Sequence, residues 1–170
     1  MNINQAAPVF VRREITVFAP PDKVWDWLSR VDLWGDWHPE IASAYWLKDD
    51  VAGRRFRWRQ GPVRITSTIE AWSEQREIGW TGRAYSAVVR HVFRLQGDFR
   101  QTHITSEQSI EGFPASVIGP IMRRLAERSS ETWLAALKTR LESVHDRSAR
   151  SWQPPRPPTL PSMTINRFRM

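Results

Sequence analysis

The hydrophobic pattern changes period twice along the chain. In "VRREITVF", Val11 to Phe18, apolar and polar positions alternate loosely, as on a strand, and "APPDK" stops the alternation with two prolines. Pro21 and Asp22 stand where the first turn of a helix accepts them. Val24, Leu28 and Val31 follow at helical spacing with Trp25 and Trp27 on either side, which predicts a short helix covering a core edge. Gly35 and the pair His38-Pro39 interrupt it. Trp34 and Trp37 are left on a second short turn or loop, three residues apart and facing the same way.

From Ile41 the period becomes two. Six strand candidates follow, at 41–48, 54–60, 63–73, 76–85, 87–96 and 99–110, with turn signals at Asp49-Asp50 and Gly53, at Gly61-Pro62 and at Gly97-Asp98. Together with the first, they predict seven strands in an antiparallel sheet, one face buried and the other wet. Arg55, Arg57, Arg59, Arg64, Arg83, Arg90 and Arg94 share the outward parity. The inward parity collects Phe56, Trp58, Ile65, Ser67, Ile69, Ile78, Trp80, Gly82, Ala84, Val89, His91, Phe93, Leu95, Ile104, Ser106, Gln108 and Ile110. After "EGFP" the period returns to that of a helix, from Pro120 in its first turn to Val144. Its expected buried stripe is Met122, Leu125, Ser129, Trp133, Ala136, Leu137, Leu141 and Val144. A long amphipathic helix in the hollow of a curved sheet encloses space, and small or polar inward positions such as Ser129 keep it open.

At 170 residues and 41% hydrophobic the chain fits one domain, with 1–8 read as a flexible N-terminus, 9–145 as the folded unit and 146–170 as a disordered Pro/Arg-rich tail. The tail carries +4 of the formal +7, so the folded part is only mildly basic. Glu70, Glu77 and Glu107 fall among the outward arginines. Cross-strand charge pairs therefore account for that face, and nucleic acid is not expected as a partner. The lack of cysteine excludes disulfides, thiolate metal sites and thiol nucleophiles and fits a cytoplasmic protein. No apolar run is long enough to span a bilayer, so no stable membrane insertion is expected. The histidines lack ligand spacing and no glycine-rich phosphate loop occurs, so neither metal nor cofactor is expected.

The order of elements resembles the polyketide cyclase/dehydrase branch of the START-like, helix-grip superfamily, often labelled SRPBCC. The resemblance rests on "APPDKVWDWLSRVDLWGDWHPEI", "GRRFRWRQGPVRITSTIEAWSEQREIGWTGRA", "HVFRLQ" and "SEQSIEG", and covers residues 9–144. It implies an α+β helix-grip fold: a curved seven-stranded antiparallel sheet wrapped round a long C-terminal helix, with two short helices between strands 1 and 2 closing one end of a deep cavity. On that reading Trp25 and Trp37 close the core, while the mouth runs past the loop that holds Trp27 and Trp34.

Two functions are then open. The first is binding of a small hydrophobic, aromatic or polycyclic molecule by Trp27, Trp34, Phe56, Trp58, Ser67, Ile69, Trp80, His91, Phe93, Ile104, Ser106, Gln108, Met122, Leu125, Ser129 and Trp133. The second is a cyclase or dehydratase acting on a poly-β-keto substrate. Its one catalytic candidate is His91, the only histidine of inward parity, near Ser67, Ser106 and Gln108. His91 has no inward carboxylate beside it, and binding asks less of the sequence than turnover does. No protein partner is indicated.

Overall fold

The computed structural model describes residues 1–48 and 54–151, the last eight of them as backbone. Seven strands, β1 (Val9–Val17), β2 (Ile41–Trp46), β3 (Arg55–Gln60), β4 (Val63–Ser73), β5 (Glu77–Ala84), β6 (Ala87–Gly97) and β7 (Thr102–Glu111), form one antiparallel sheet. Its order is β1-β7-β6-β5-β4-β3-β2, so β2 to β7 are a run of hairpins and only β1 reaches across to the far edge. Between β1 and β2 lie helix α1 (Pro21–Ser29), a 3-10 turn (Val31–Leu33) and a single turn α2 (Trp34–Trp37). Beyond β7 come a short helix α3 (Phe113–Val117) and the long helix α4 (Gly119–Ser151). The expected turn at Asp49, Asp50 and Gly53 lies outside the described residues, as does the tail from 152 onward. The backbone of α4 itself runs past Val144, where hydrophobic periodicity ends, to Ser151.

The sheet grips α4 from both sides of its hollow. On the β1 side Arg13 meets Glu127 at 3.5 Å and Glu131 at 3.1 Å, and the Arg123 guanidinium donates to the Phe10 carbonyl. Across the hollow, Gln60 of β3 donates to Ser129 Oγ at 3.0 Å. These contacts set the rotation of α4 and correct the expected stripe. Its buried positions are Ala126, Ser130, Trp133, Leu134, Leu137 and Leu141; Leu125 is 55% exposed, and Ser129 and Ala136 are half-buried. Ala126 and Ser130 are small enough to let the helix approach the sheet.

Inward parity is as the alternation predicts: Phe56, Trp58, Ile65, Ser67, Ile69, Ile78, Trp80, His91, Phe93, Leu95, Ile104, Ser106, Gln108 and Ile110 are all buried. A bulge at Glu70 shifts the β4–β5 register. Trp72 thereby falls opposite Ile78 and meets Trp25 of α1 edge-on at 5.1 Å. On the outer face a charge ladder crosses four strands, from Glu77 to Arg94 to Glu107 to Arg12 to Glu14. Residues 1–8 fold back over this face. Met1 Sδ lies against Gly79, and the Met1 carbonyl accepts from Arg94 at 3.1 Å.

Gly112 joins β7 to α3 with φ of 108°, and a Cβ there would stand 2.2 Å from the Ser86 carbonyl oxygen of the β5–β6 turn. Both the left-handed backbone and the close approach demand glycine. We expect Gly112→Ala to destabilise the fold by about 2 kcal/mol, lowering Tm by roughly 4–8 °C in a thermal melt.

Candidate ligand site

The space between sheet and α4 is filled at its centre by aromatic rings. Trp34 is wholly buried there. Its ring centroid lies 5.0 Å from Trp80 and from Trp133, 5.3 Å from Phe56 and 5.8 Å from Trp58, and its N–H donates to the Leu28 carbonyl at 3.1 Å. Phe93 packs beside Trp80 and Trp133. Of the four clustered tryptophans, Trp34 is thus the central plug and not a residue of a mouth. Trp25 is buried in the core as expected, whereas Trp27 and Trp37 are half-buried. Trp27 lies under the Arg140 guanidinium at 4.3 Å, a cation–π contact that pins α1 to α4.

Beside the aromatic plug lie polar groups paired in the interior. His91 Nε2 and Ser106 Oγ share a hydrogen bond of 2.8 Å, the Trp58 N–H donates to Ser67 Oγ at 3.0 Å, and Ser130 donates to the Gln108 side-chain oxygen at 3.4 Å. Burial lowers the His91 imidazole to about 3, with a further push from the charge of His38. His38, expected in a loop, is buried against Trp133 with ring centroids 4.4 Å apart; burial lowers it to about 4. Its Nδ1 accepts from the Glu40 N–H, while its buried Nε2 has no partner in the structure. The only signal for it in the sequence is its place between Trp37 and Pro39. Among the described residues no three histidine or carboxylate groups converge as metal ligands.

The two ends of this space differ. At the end closed by α1, the inward side chains Phe56, Ile69, Ile78, Leu95 and Ile104 are buried to 5% exposure or less. At the opposite end the inward positions Val63, Ala84, Ala87 and Val89, with Met122 of α4, are all partly exposed. That end is ringed by the β3–β4 and β5–β6 turns, α3 and the start of α4. Gly82 adds no free space to it, because Ile65 and Ser67 already occupy the position its Cβ would take. Of the candidates, Trp58, His91, Ser106 and Gln108 lie below the open end, with Met122 beside it and Ser129 tied to Gln60. Phe56, Ile69, Trp80, Phe93, Ile104 and Trp133 back the plug, Ser67 braces Trp58, and Leu125 faces outward. Sequence reasoning overlooked Ser130, the residue next to Ser129 in the chain, which the rotation of α4 brings inward.

A family model described as polyketide cyclase/dehydrase and lipid transport matches residues 8–142. The chain belongs to that family. Solved structures share the family's helix-grip architecture at low sequence identity. An aromatase/cyclase from a Streptomyces species is 20% identical with a TM-score of 0.69, covering 84% of this chain and 96% of that one. A START superfamily protein from Mycobacterium smegmatis is 18% identical with a TM-score of 0.69, covering 79% and 98%. A hypothetical protein from Helicobacter pylori is 17% identical with a TM-score of 0.71, covering 82% and 91%. No curated protein sequence matches the chain. No helix among the described residues is long and apolar enough to cross a membrane.

His91 and His38 remain neutral in the folded protein at pH values where an ordinary imidazole, near 6.5, takes up a proton on unfolding. Their contribution is complete above pH 6.5 and is lost as pH falls towards 4 and then 3. Urea unfolding from pH 7 to 5 should therefore show stability falling with acid. His91→Gln should flatten that slope by up to about 1.4 kcal/mol per pH unit.

Proposed function

We propose that the protein binds a small hydrophobic molecule, aromatic or polycyclic, in the open end of the helix-grip space. The observation that carries this is the arrangement there: partly exposed apolar side chains, Val63, Ala84, Val89 and Met122, stand above interior hydrogen-bonding groups on Trp58, His91, Ser106 and Gln108. Apolar walls with a few convergent polar groups suit a flat ligand carrying one or two oxygens. Membership of a lipid transport and polyketide cyclase/dehydrase family supports the same ligand class. A cytoplasmic setting, in keeping with the cysteine-free sequence, is part of the proposal.

One observation favours a second reading, cyclisation or dehydration of a poly-β-keto substrate. The hydrogen-bonded His91–Ser106 pair lies on the inner wall, and one structural neighbour is an aromatase/cyclase. Against it stands the imidazole itself, which at about 3 is a weak base near neutral pH. No carboxylate among the described residues shares its inner face to raise it: the buried Glu107 faces outward, paired to Arg94 and Arg12. His91 is better suited to orient a ligand oxygen than to move a proton.

Titration with anilinonaphthalene sulfonate should give about 1:1 binding with quenching of tryptophan emission, and Ala84→Phe, which narrows the opening, should weaken it at least about tenfold. Undiminished affinity in a folded Ala84→Phe protein would overturn the site. His91→Gln separates the two functions. Under the binding reading, affinity shifts by no more than about tenfold. A loss of about a hundredfold in ring closure or water loss on poly-β-keto mimics, with binding intact, would replace binding by catalysis.

A further inference from the structure

The open end of the fold is also where the surface is most apolar. Of the ten large hydrophobic side chains exposed on the described residues, six lie here: Tyr85, Phe113, Val117, Ile118, Ile121 and Leu125. Tyr85 at 94% and Phe113 at 73% are exposed too far to be the rim of a core. They come from three segments that meet in space. The β5–β6 turn lies on the β7–α3 junction through the contact of Ser86 with Gly112, Phe113 and Val117 stand one turn apart on α3, and Ile118, just before α4, is followed by Ile121 and Leu125 on its first turns. Phe18, Trp72 and Phe99 occupy the opposite end, after β1, near the end of β4 and between β6 and β7, with Trp72 already against Trp25.

Arginines frame this apolar tip. Arg59 and Arg64 flank the β3–β4 turn, Arg83 precedes the β5–β6 turn, and Arg124 lies between Ile121 and Leu125; all four are exposed. None has a carboxylate partner among the described residues, whereas Arg90, next along the sheet, is paired with Glu111. Arg59 and Arg64 are direct cross-strand partners, a like-charge pair that costs stability unless an anion lies over it. The two halves of the outer face therefore differ: one is neutralised across four strands by the Glu77-to-Glu14 ladder, while at the end that carries the apolar side chains Arg59, Arg64 and Arg83 meet no carboxylate among the described residues.

We propose that this end docks on the surface of an anionic lipid bilayer, with Tyr85, Phe113, Val117, Ile118, Ile121 and Leu125 entering the headgroup and acyl boundary and Arg59, Arg64, Arg83 and Arg124 meeting lipid phosphates. An apolar tip inside a cationic rim is complementary to a surface whose interior is hydrocarbon and whose face is negative. A second copy of the chain is a poor occupant. A two-fold contact through the tip would bring the same arginine rims together. The inference rests on the surface and goes beyond the ligand reading, and the vesicle assay contains no ligand, so either can fail alone.

The test is co-sedimentation of the full chain with vesicles of phosphatidylcholine and with vesicles containing about one-third phosphatidylglycerol. Binding is expected to the anionic vesicles, weakened by high salt and weak or absent without phosphatidylglycerol. Two double variants at exposed positions, Phe113→Ser with Ile121→Ser and Arg64→Glu with Arg83→Glu, should each lower partitioning at least about tenfold while leaving the thermal melt unchanged. No binding to anionic vesicles overturns the proposal. So does equal binding by both variants, which would place attachment elsewhere, as on residues 152–170. A lipid-free dimer abolished by the Phe113 and Ile121 changes would assign the tip to self-association and overturn it as well.

Discussion

The fold turns on one indole. Trp34 enters the hollow of the sheet from the single turn α2 and stands among Phe56, Trp58, Trp80 and Trp133 at centroid distances between 5.0 and 5.8 Å. Three of these contacts are edge-to-face and the one with Trp80 is tilted, and rings at such distances gain both burial and quadrupole attraction. Its N–H reaches the Leu28 carbonyl, so the turn that carries it is tied to the helix before it. Removing so large a buried side chain costs about 3–5 kcal/mol in typical cores. Here it would also remove the contacts that α2 makes through Trp34 with Phe56, Trp58 and Trp80 of the sheet and with Trp133 of α4.

From that plug the molecule acquires its polarity. The end behind Trp34 is closed by α1 and by wholly apolar inward residues, while the other end is lined by small and partly exposed ones. The polar pairs His91–Ser106 and Ser130–Gln108 lie alongside the aromatic mass. Each hydrogen bond satisfies a group that would otherwise be buried alone, which allows polar atoms to persist beside a packed core. The same axis orders the outside. The neutralised half of the outer sheet carries the folded-back N-terminus, and the other half carries arginines towards the open end.

Strand parity was legible because a period of two leaves no freedom: once Trp58 faces in, Phe56 does too, and Arg57 cannot. Val24 and Leu28 were equally plain on α1, as was Val31 on the 3-10 turn that follows it. The α4 stripe was less so. Leu125 and Ser129 are as good a helical guess as Ala126 and Ser130, and salt bridges from Arg13 to Glu127 and Glu131, with Arg123 bound to the Phe10 carbonyl, choose between them. Those bonds cross more than a hundred residues of chain. No local pattern contains them. Trp72 could not be placed by alternation either, since the bulge at Glu70 interrupts the β4–β5 register.

By itself, the sequence determined the order of elements and the two faces of the sheet, because these follow from periodicity and from turn residues that act over a few positions, while its motifs from Ala19 to Ile41 and from Gly53 to Ala84 carried the family resemblance. Only the tertiary structure decided that Trp34 fills the centre, that His38 is buried without a partner for Nε2, and that the apolar residues of α3 and α4 gather with Tyr85 at one open end. Each of these depends on how far one element is rotated or slid against another. That rotation is set by packing volume and long-range ion pairs, which have no periodic signature in the chain.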